Sequence, residues 1–543
     1  MSEQTRKYWV FPGLILGISA LVLLAMLALT PNLSSATNSP ETVGLPFDLA
    51  TESPNCRFGV AITTDEQWER VSDFSVGWYL NFRVSNFPSL GEGVEYVPVV
   101  RLRQDKDGST YLDSYSVFPP LTDAGLGAHL ANKPGALWII GNEVDRGPSP
   151  GGGGAQDDMQ PEMYARAYHE VYTFIKERDP QAKVAISAMV QVTPGRLQYL
   201  DKVWAEYLRR YGQPMPVDVW NMHLYILPEV NPQGVPNGIA GVAVGTDPAL
   251  GMRESGGNAA LCGNLANNVY CFADHDDMNF FKAQILALRQ WMKAHGQQHK
   301  PLILSEFSLL YPYDDTDGDG DPDFLRDEYG NLFDPVRVSN FLRVTFDYLD
   351  GDESINLNLG YPADNYRLVQ QSLWFSLHYA GAGRASNLFT DAGLGSYSPM
   401  GEAFIQEMAE RRSAGVLPNL TASNALNVAG FVIAPSTTAT VTIGLDVHNN
   451  GNMNAGNPFT VTFYTDQNLQ NPIGSVVIPD LNGCTQGALK VELDWADRLP
   501  GVHRYWVKVD STQVVFESNE GDNVASGVVI INPLQTFLPL TAR

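Results

Sequence analysis

Short apolar runs recur along residues 56–412, and several of them are apolar on both faces, as strands of a covered parallel sheet are. Between the runs lie segments whose apolar positions repeat at helical spacing, such as Tyr164, Tyr168 and Val171. The predicted strands are Phe58–Ile62, Val76–Phe82, Val94–Leu102, Ala136–Ile140, Val184–Val190, Val217–Tyr225, Leu302–Glu306 and Gln371–His378. Strands and helices in this alternation predict a (β/α)8 TIM barrel, with the domain spanning residues 45–412.

An open, doubly wound parallel sheet is the alternative to a barrel. That fold would place a glycine-rich phosphate-binding turn directly after its first strand. The sequence there reads Ala61-Ile62-Thr63-Thr64, without a glycine. The barrel is therefore the favoured interpretation.

The pattern changes after Arg412. Residues 413–424 form a polar, proline-containing linker, and beyond it apolar and polar positions alternate between turns rich in Asn and Gly. Alternating runs occur at 440–447, 459–464 and 505–509. Short alternating strands predict an all-β, immunoglobulin-like sandwich over residues 425–533, followed by a tail at 534–543. The chain is thus predicted to be multidomain.

The N-terminal residues 1–44 are predicted to export the chain. Arg6 and Lys7 precede an uncharged apolar run from about Val10 to Leu29. Its length fits a membrane-spanning anchor, while the small residues at 34–36 fit a signal-peptide cleavage site, and both interpretations stay open. Basic residues before the run leave the N-terminus inside and export the rest. We expect an extracellular or cell-surface protein that is either secreted or anchored in the cytoplasmic membrane by this segment alone.

The formal net charge of −25 argues against a nucleic-acid partner, because nucleic-acid binding relies on Lys and Arg contacts to phosphate. It favours a neutral substrate over a polyanion. An exported chain with four cysteines permits disulfides, and Cys262 and Cys271 are the preferred pair. Cys56 and Cys484 are either free or paired, since sequence does not fix connectivity. Oligomeric state is left undetermined.

Two predicted strands end on a glutamate. Residues 138–145 read WIIGNEVD, and residues 301–307 read PLILSEF. In a (β/α)8 barrel the chemistry lies at the carboxyl ends of the strands, so Glu143 and Glu306 are expected to face each other. Two such carboxylates suit cleavage of a glycosidic bond, in which one group protonates the leaving oxygen and the other attacks carbon or activates water. Their environments must differ, so that one is protonated and one ionised near neutral pH.

The C-terminal region resembles the CARDB domain, an immunoglobulin-like module related to cell adhesion. The resemblance rests on residues 447–452 (VHNNGN), 501–510 and 517–523 (ESNEGDN). Such modules are accessory, so the resemblance implies spacing or adhesion rather than chemistry.

The barrel region resembles glycoside hydrolase clan A. An Asn-Glu pair at the end of strand four and a glutamate at the end of strand seven carry this resemblance. By this resemblance Glu143 is the general acid/base, Glu306 is the nucleophile of a retaining mechanism, and Asn142 holds the 2-hydroxyl of the sugar. No cofactor is implied for catalysis.

Further substrate contacts follow from the same resemblance. His223 and Tyr225 lie on strand six, where clan members often carry both, with the Tyr touching the nucleophile. Trp374 matches the strand-eight tryptophan that floors the central subsite. Trp78, in a stretch that resembles endo-β-1,3-glucanases, is a further candidate. An arginine near the nucleophile is also common, and the candidates are Arg83, Arg101 and Arg103.

The substrate is a polysaccharide or oligosaccharide, and its sugar stays open. Endo-β-1,3-glucanases usually read Asn-Glu-Pro-Asp, and here Val144 replaces the Pro. The helix after strand four is more similar to enzymes that act on xylosides or arabinosides. A β-glucan is therefore one candidate among several.

Simpler explanations compete with each assignment. A glutamate after an apolar strand is often only a helix N-terminal residue, and a single histidine such as His223 is often structural. A non-catalytic carbohydrate-binding or adhesion protein on a glycosidase-like barrel is the main alternative, which the CARDB-like region favours. A metal-dependent barrel hydrolase is a second alternative, disfavoured because among the histidines only His223 and His378 lie on predicted strands.

An acidic loop follows the seventh strand. The aspartates of this loop that take positions 1, 3, 5 and 9 of a calcium-binding loop are Asp315, Asp317, Asp319 and Asp323. Position 12 is Arg326 instead of the usual Glu. Clustered carboxylates repel one another unless a cation lies among them, so a structural calcium ion is predicted, against the alternative of a solvated acidic loop.

A long insertion, Leu227–Met278, separates strands six and seven. It is rich in Gly, Asn and Pro, and the predicted Cys262–Cys271 disulfide lies inside it. Long loops in barrels usually shape substrate binding, so we expect the insertion to arch over the active-site face.

Overall fold

The structure is a computed structural model that describes residues 54–91, 93–147, 156–237, 240–311, 326–381, 383–423, 429–432, 438–484 and 488–531. The predicted export segment and the four aspartates of the predicted calcium loop lie outside these ranges. Across the ranges that are described, no helix combines the length and apolar composition needed to cross a bilayer.

The N-terminal domain is built on parallel strands that match the predicted ones. Its strands are β1 (Asn55–Ala61), β2 (Val76–Leu80), β3 (Glu95–Tyr96), β4 (Val99–Asp107), β5 (Thr110–Phe118), β6 (Leu137–Ile140), β7 (Lys183–Ile186), β8 (Trp220–Leu224), β9 (Arg253–Glu254), β10 (Val269–Tyr270), β11 (Leu302–Phe307) and β12 (Gln371–Trp374).

These strands close into a ring. One sheet has the order β3-β2-β1-β12-β11-β8, and β4-β6-β7 continue in a second sheet, with every neighbouring pair among them parallel. β3 and β4 follow each other directly along the chain, and a parallel bridge between Ala185 and Val219 joins β7 to the start of β8. The ring therefore has the strand order of a (β/α)8 barrel. β5 forms a hairpin with β4, and β9 pairs with β10 inside the insertion.

Helices cover the outside of this ring. They are α1 (Ala128–Asn132), α2 (Pro161–Arg178), α3 (Pro194–Tyr211), α4 (Met278–Ala294), α5 (Pro335–Asp350) and α6 (Pro399–Ala414). A π-helical turn precedes α1 at Asp123–Gly127, and a 3-10 helix at Asp65–Phe74 follows β1. Shorter 3-10 turns are Pro248–Leu250, Ala259–Leu261, Leu265–Asn267, Phe272–Asp274, Asp352–Ser354, Pro362–Asp364 and Arg384–Ser386. The described residues between β2 and β3 contain no helix, so the predicted alternation is incomplete at that point.

Helix starts and buried faces follow the sequence pattern. A proline opens α2, α3, α5 and α6, where its missing N–H costs no intrahelical hydrogen bond. The apolar stripe of α2 packs against the outer face of the strands in one large core. Inward-facing residues such as Val99, Ile139 and Ile303 fill the interior of the ring as a separate core. The strands are thus covered on both faces, which is why their sequences are apolar throughout.

The C-terminal domain is the predicted β-sandwich. Its strands are β13 (Leu420–Ser423), β14 (Ala429–Val432), β15 (Ala439–Asn449), β16 (Phe459–Tyr464), β17 (Pro472–Ile478), β18 (Leu489–Arg498), β19 (Gly501–Lys508) and β20 (Val524–Ile531). They form two sheets with the orders β13-β15-β18 and β14-β20-β19-β16-β17, around a core of alternating apolar residues. β13 lies inside residues 413–424, which the sequence pattern assigned to a linker. Leu420 is buried and pairs with Asn449 of β15, so the sandwich begins earlier than predicted.

Covalent and polar contacts join the two domains. A disulfide links Cys56 in β1 to Cys484 of the sandwich, 428 residues later in the chain, which settles a pairing that the sequence left open. Next to it, Arg57 binds the carboxylate of Asp364 with both terminal nitrogens, at 2.9 and 3.0 Å, and donates to the carbonyl oxygen of Asn450 at 2.9 Å. The sandwich is therefore fixed to the amino-terminal end of β1, at the opposite end from the strand-end glutamates.

The predicted disulfide between Cys262 and Cys271 is confirmed. No described cysteine is free.

Candidate active site

A sharp turn after β6 presents Glu143. Gly141 has φ +89°, and a Cβ there would lie 2.8 Å from Val144 Cγ1, so the turn requires glycine. Glu143 itself has φ +45°, an uncommon conformation for a residue with a side chain. Its backbone N–H donates to the carbonyl oxygen of Ala188 at 3.0 Å, which holds the turn against the next strand. Backbone strain of this kind concentrates at functional sites.

Glu306 lies near the carboxyl end of β11, directly opposite His223 of β8 in the strand register. Both glutamate side chains are buried, with 2% of Glu143 and 8% of Glu306 exposed. Carboxylate oxygens of the two residues lie within 4.8 Å of each other. The two strand-end glutamates therefore lie close to each other, at the position that the predicted strands indicated.

His223 lies between the two carboxylates, and Tyr225 holds one of them. His223 Nδ1 lies 3.0 Å from Glu143 Oε1 and 3.7 Å from Glu306 Oε2. The Tyr225 hydroxyl donates to Glu306 Oε1 at 2.7 Å. Both side chains are buried, but Tyr225 lines the pocket, whereas His223, which was also predicted to contact substrate, is not part of its lining.

Arg146 is a partner of Glu143 that the sequence analysis missed. Its Nη1 donates to Glu143 Oε2 at 3.1 Å, three residues further along the same turn. The sequence shows that Arg146 follows the candidate catalytic Glu143 by three residues. This spacing did not predict the contact, because no conformation was predicted for the turn that carries both residues. Of the arginines that the sequence proposed, Arg83 and Arg101 line the pocket, whereas Arg103 is exposed and outside its lining.

The two glutamates occupy opposite electrostatic environments. Burial raises the pKa of Glu143, but the hydrogen bonds and positive charges of His223 and Arg146 outweigh burial and hold that pKa well below its ordinary value. Burial raises the pKa of Glu306, and the neighbouring Glu143 charge raises it further against the opposing effect of His223. Burial lowers the pKa of His223, but Glu306 and Glu143 outweigh it, so that the pKa is raised. Of the two carboxylates, Glu143 is thus the more readily ionised and Glu306 the more readily protonated.

A cavity of about 480 Å³ opens above these groups. Polar, charged and aromatic side chains line it together with three aliphatic residues: Thr63, Asn81, Phe82, Arg83, Arg101, Asn142, Glu143, Arg146, Gln156, Val190, Tyr225, Leu227, Glu306, Leu310, Phe375 and Tyr379. Within the described part of the insertion 227–278, Leu227 alone reaches this lining. The described part of the insertion therefore does not arch over the pocket, contrary to expectation.

Asn142 is in the pocket as predicted, held from both sides. Its backbone N–H donates to Asp157 Oδ2 at 2.9 Å, and its side-chain amide donates to Gln156 Oε1 at 3.3 Å. Arg101 binds the same two residues, at 2.6 Å to Asp157 and 3.0 Å to Gln156. These bonds fix the amide next to Glu143.

Neither predicted tryptophan reaches the pocket. Trp374 is fully buried, donates to the carbonyl oxygen of Ser386, and packs among aromatic residues beneath the helices. Side chains alternate along β12, so Leu373 faces the ring interior and Trp374 faces outward. Phe375, the next residue, lines the pocket, with its ring centroid 5.9 Å from Phe82 and 5.6 Å from Tyr379. Phe375 therefore takes the place in the pocket that the sequence assigned to Trp374.

Trp78 fills the interior of the ring. Its indole contacts Gly59, where a Cβ would come within 2.7 Å of Trp78 Nε1. A side chain this deeply packed contributes to the core and does not contact a ligand in the pocket.

A buried ion cluster supports the turn that carries Glu143. Arg196 lies between Asp145 and Glu229, and all three side chains are fully buried. Arg196 Nε donates to Glu229 Oε1 at 2.7 Å, and Nη1 donates to Asp145. Arg196 Nη2 also donates to the carbonyl oxygen of Gly241 at 2.8 Å. Burial raises the pKa of Asp145 despite the opposing charge of Arg196.

Glu143, His223 and Glu306 are also the described residues that could jointly offer metal-ligand atoms in the pocket. Arg146 already holds one oxygen of Glu143, and Tyr225 holds one oxygen of Glu306. A divalent cation at this point would be repelled by the positive charge of the Arg146 guanidinium. These three side chains are therefore better suited to hydrogen bonds and proton exchange with one another than to metal binding.

Comparison with known proteins identifies one domain. Residues 417–527 match the CARDB family. No curated protein sequence matches the chain. One similar solved structure is the CARDB domain of a Pyrococcus furiosus protein in complex with di-metal ions, at 19% identity and a TM-score of 0.17, covering 21% of this chain and 94% of that chain.

Two of the similar solved structures that span the N-terminal domain carry carbohydrate-related names. An oligosaccharide-binding protein of glycoside hydrolase family 128 (subgroup VII) from Trichoderma gamsii is 13% identical, with a TM-score of 0.36, and covers 66% of this chain and 96% of that chain. The endo-β-1,4-mannanase from Thermotoga petrophila is 11% identical, with a TM-score of 0.24, and covers 73% of this chain and 65% of that chain. At these TM-scores, neither likeness identifies an activity or a substrate.

Proposed function

We propose that the chain is an exported, retaining glycoside hydrolase of the clan A type, which cleaves O-glycosidic bonds of a polysaccharide or oligosaccharide. The observation that carries this proposal is the convergence of Glu143 and Glu306 at one end of the ring, in a cavity with aromatic and polar walls. A β-glucan is one candidate substrate. No cofactor takes part in catalysis, and a structural calcium ion in the loop at 315–323 remains a separate proposal.

The spacing of the two carboxylates supports retention. One oxygen of each carboxylate lies within 4.8 Å of the other, which is compatible with the about 5–5.5 Å between carboxyl groups in retaining enzymes and short for the about 6.5–9.5 Å in inverting enzymes. A short separation favours direct attack by the second carboxylate over attack by a water molecule that it activates. The second carboxylate would then act as the nucleophile itself.

In the proposed mechanism Glu306 attacks the anomeric carbon and forms a glycosyl-enzyme, while Glu143 protonates the leaving oxygen and afterwards activates water. Tyr225 holds Glu306 in place through its hydroxyl. Glu143 is the more readily ionised of the two carboxylates, so these roles require one net proton transfer from Glu306 to Glu143. His223 Nδ1 lies 3.0 Å from Glu143 Oε1 and 3.7 Å from Glu306 Oε2, so it can give its proton to Glu143 and take the proton of Glu306, which leaves Glu306 ionised for attack.

Disulfides support the proposed location outside the cytoplasm. All four cysteines of the chain are paired, which is typical of proteins that mature in an oxidising compartment. The CARDB domain is proposed to space the catalytic domain from a surface or to attach it there. The membrane is a partner only through the N-terminal segment, in the anchored case.

The test is hydrolysis of β-glucans, xylan, mannan and aryl glycosides by the full chain, beside Glu143→Gln and Glu306→Gln. Each variant should retain no more than ~0.1% of wild-type activity, because the catalytic carboxylate supplies several kcal/mol of barrier lowering. Glu177→Gln is a suitable control, since Glu177 lies on α2 with its side chain 68% exposed. Full activity of Glu306→Gln on a substrate that the wild type cleaves would refute the proposal.

A non-catalytic oligosaccharide-binding protein is the second candidate. The observation that favours it is the pairing of Glu143 with both His223 and Arg146, which keeps the intended acid ionised before substrate arrives. Such a protein would bind a glycan in the same pocket and leave it uncut, and neither glutamine variant would then change a reaction rate.

A further inference from the structure

Positively charged residues outnumber negatively charged ones in the pocket lining, whereas the chain as a whole is acidic. The whole chain carries 35 Lys and Arg against 60 Asp and Glu. The charged residues that line the cavity are three arginines, at 83, 101 and 146, and two glutamates, at 143 and 306. Three arginines against two glutamates give the lining a positive formal balance within an acidic protein. The net charge of the chain favoured a neutral substrate, but a neutral substrate would not require a positively charged pocket.

One of the arginines is structural. Arg101 donates through three nitrogens to Asp157, Phe82 and Gln156, at 2.6, 3.2 and 3.0 Å. These bonds tie together the walls of the pocket, so Arg101 is already engaged. Arg83 and Arg146 are the two arginines with the freedom to meet a ligand.

Arg83 is held loosely. It pairs with Asp65 at 2.6 Å, but its side chain is 54% exposed and that of Asp65 is 46% exposed. An ion pair this exposed contributes little to stability, so an incoming anion exchanges with Asp65 at little cost. The forked guanidinium suits an oxyanion with two acceptor oxygens.

Arg146 provides a link between anion binding and the protonation of Glu143. Its contact in the ligand-free pocket is Glu143, at 3.1 Å, and its side chain is 26% exposed. An oxyanion that draws Arg146 away removes a positive charge from Glu143, which can then take the proton from His223 that the acid role requires.

Building on the proposed function, we infer that the pocket recognises an anionic glycan, whose carboxylate or sulfate group binds Arg83 and Arg146 beside the scissile bond. The same charge that gives affinity would prepare Glu143 for catalysis, so neutral glycans would be bound more weakly and cut more slowly.

The test measures binding without turnover. The full chain carrying Glu306→Gln is titrated calorimetrically with alginate, polygalacturonate and glucuronoxylan, each beside its carboxyl-reduced form, and with carrageenan beside its desulfated form. The same titrations are repeated with Arg83→Gln added. Arg343→Gln is the matched control, because Arg343 is 52% exposed and pairs with a 56% exposed Asp347 on the outer face of α5.

At least one anionic glycan should bind about tenfold or more tightly than its neutral partner, with the advantage falling as salt screens the charges. Arg83→Gln should remove most of that advantage, and Arg343→Gln should leave it unchanged. A preference within the uronate pairs identifies a carboxylate, and one within the carrageenan pair identifies a sulfate.

Equal binding of charged and neutral partners, binding of neither, or equal effects of Arg83→Gln and Arg343→Gln would overturn the inference. The outcome is separable from that for the hydrolase. If the chain prefers anionic glycans but does not cut them, the hydrolase proposal is refuted and the inference of anion recognition stands. If the chain hydrolyses neutral glycans and shows no preference for charge, the inference is refuted and the hydrolase proposal stands.

Discussion

Replacement of Arg196 by Met is expected to destabilise the N-terminal domain strongly. Arg196, Asp145 and Glu229 are fully buried, and Arg196 is the cation between the two carboxylates. Met fills much of the space of the side-chain stem but leaves both carboxylates without their cation. It also removes the hydrogen bond to the carbonyl oxygen of Gly241.

The magnitude follows from the burial. Breaking a buried ion pair costs about 3–5 kcal/mol, because an uncompensated charge remains in a medium of low polarity. Two carboxylates depend on Arg196, so we expect a loss of about 5 kcal/mol in the free energy of unfolding. Arg196→Lys keeps the charge but has a single nitrogen to reach both partners, and should lose about half as much.

Urea unfolding followed by tryptophan fluorescence measures these differences. Arg343→Met, which breaks an ion pair exposed on α5, should cost at most ~1 kcal/mol. If Arg196→Met unfolds during expression, Arg196→Lys still gives the comparison. A loss below ~1 kcal/mol for either Arg196 variant would refute the reasoning.

The pH dependence adds an independent check. Burial already raises the pKa of Asp145, and removal of Arg196 raises it further. A carboxyl whose pKa is higher in the folded state binds more protons there, so stability falls as pH rises above its ordinary value. The deficit of Arg196→Met relative to wild type should therefore be larger at pH 8 than at pH 5.

Three further predictions follow from single contacts. Tyr225→Phe removes a 2.7 Å hydrogen bond that lowers the pKa of Glu306, so the ascending limb of the pH profile of kcat/KM should move to higher pH. The value of kcat/KM should also fall about 10–100-fold, because a hydrogen bond to a charged group is worth ~1.5–3 kcal/mol. An unchanged profile would mean that Glu306 is not the group that must ionise. Replacing Cys56 and Cys484 together by Ala should lower the free energy of unfolding by ~2–5 kcal/mol, because this disulfide closes a loop of 428 residues. Removal of the disulfide of the insertion, which closes nine residues, should cost less in the same urea assay, and the reverse order would contradict the loop-entropy argument. Burial raises the pKa of Glu517 to about 7, so this residue makes the CARDB domain less stable as pH rises from 4.5 towards 7; Glu517→Gln should flatten that slope in thermal unfolding, and an unaltered slope would exclude Glu517 as its source.

Much of the fold could be read from local patterns. Apolar runs gave the strand positions of the ring, because a strand covered on both faces must be apolar along its whole length. Alternating runs gave the sandwich, because one face of each strand there meets solvent. Glu143 and Glu306 were found because parallel strands place their carboxyl ends at one edge, so that order along the chain implies proximity in space.

Other features depend on contacts between distant segments. Trp374 and Phe375 differ by one position, and which of them faces the pocket depends on the direction of β12 within the closed ring. The partner of Cys56 lies 428 residues away, and nothing in the local sequence selects it.

The sequence by itself indicated the two domains, most of their strands and helices, and the pair of glutamates at the strand ends. Only the tertiary structure decided the charges around those glutamates. Arg146 reaches Glu143 through a turn of unusual backbone conformation, and Arg196 finds its two carboxylates on separate segments. Periodic patterns report which face of an element is buried, whereas ionisation depends on distances between side chains from different elements, and those exist only once the chain has folded.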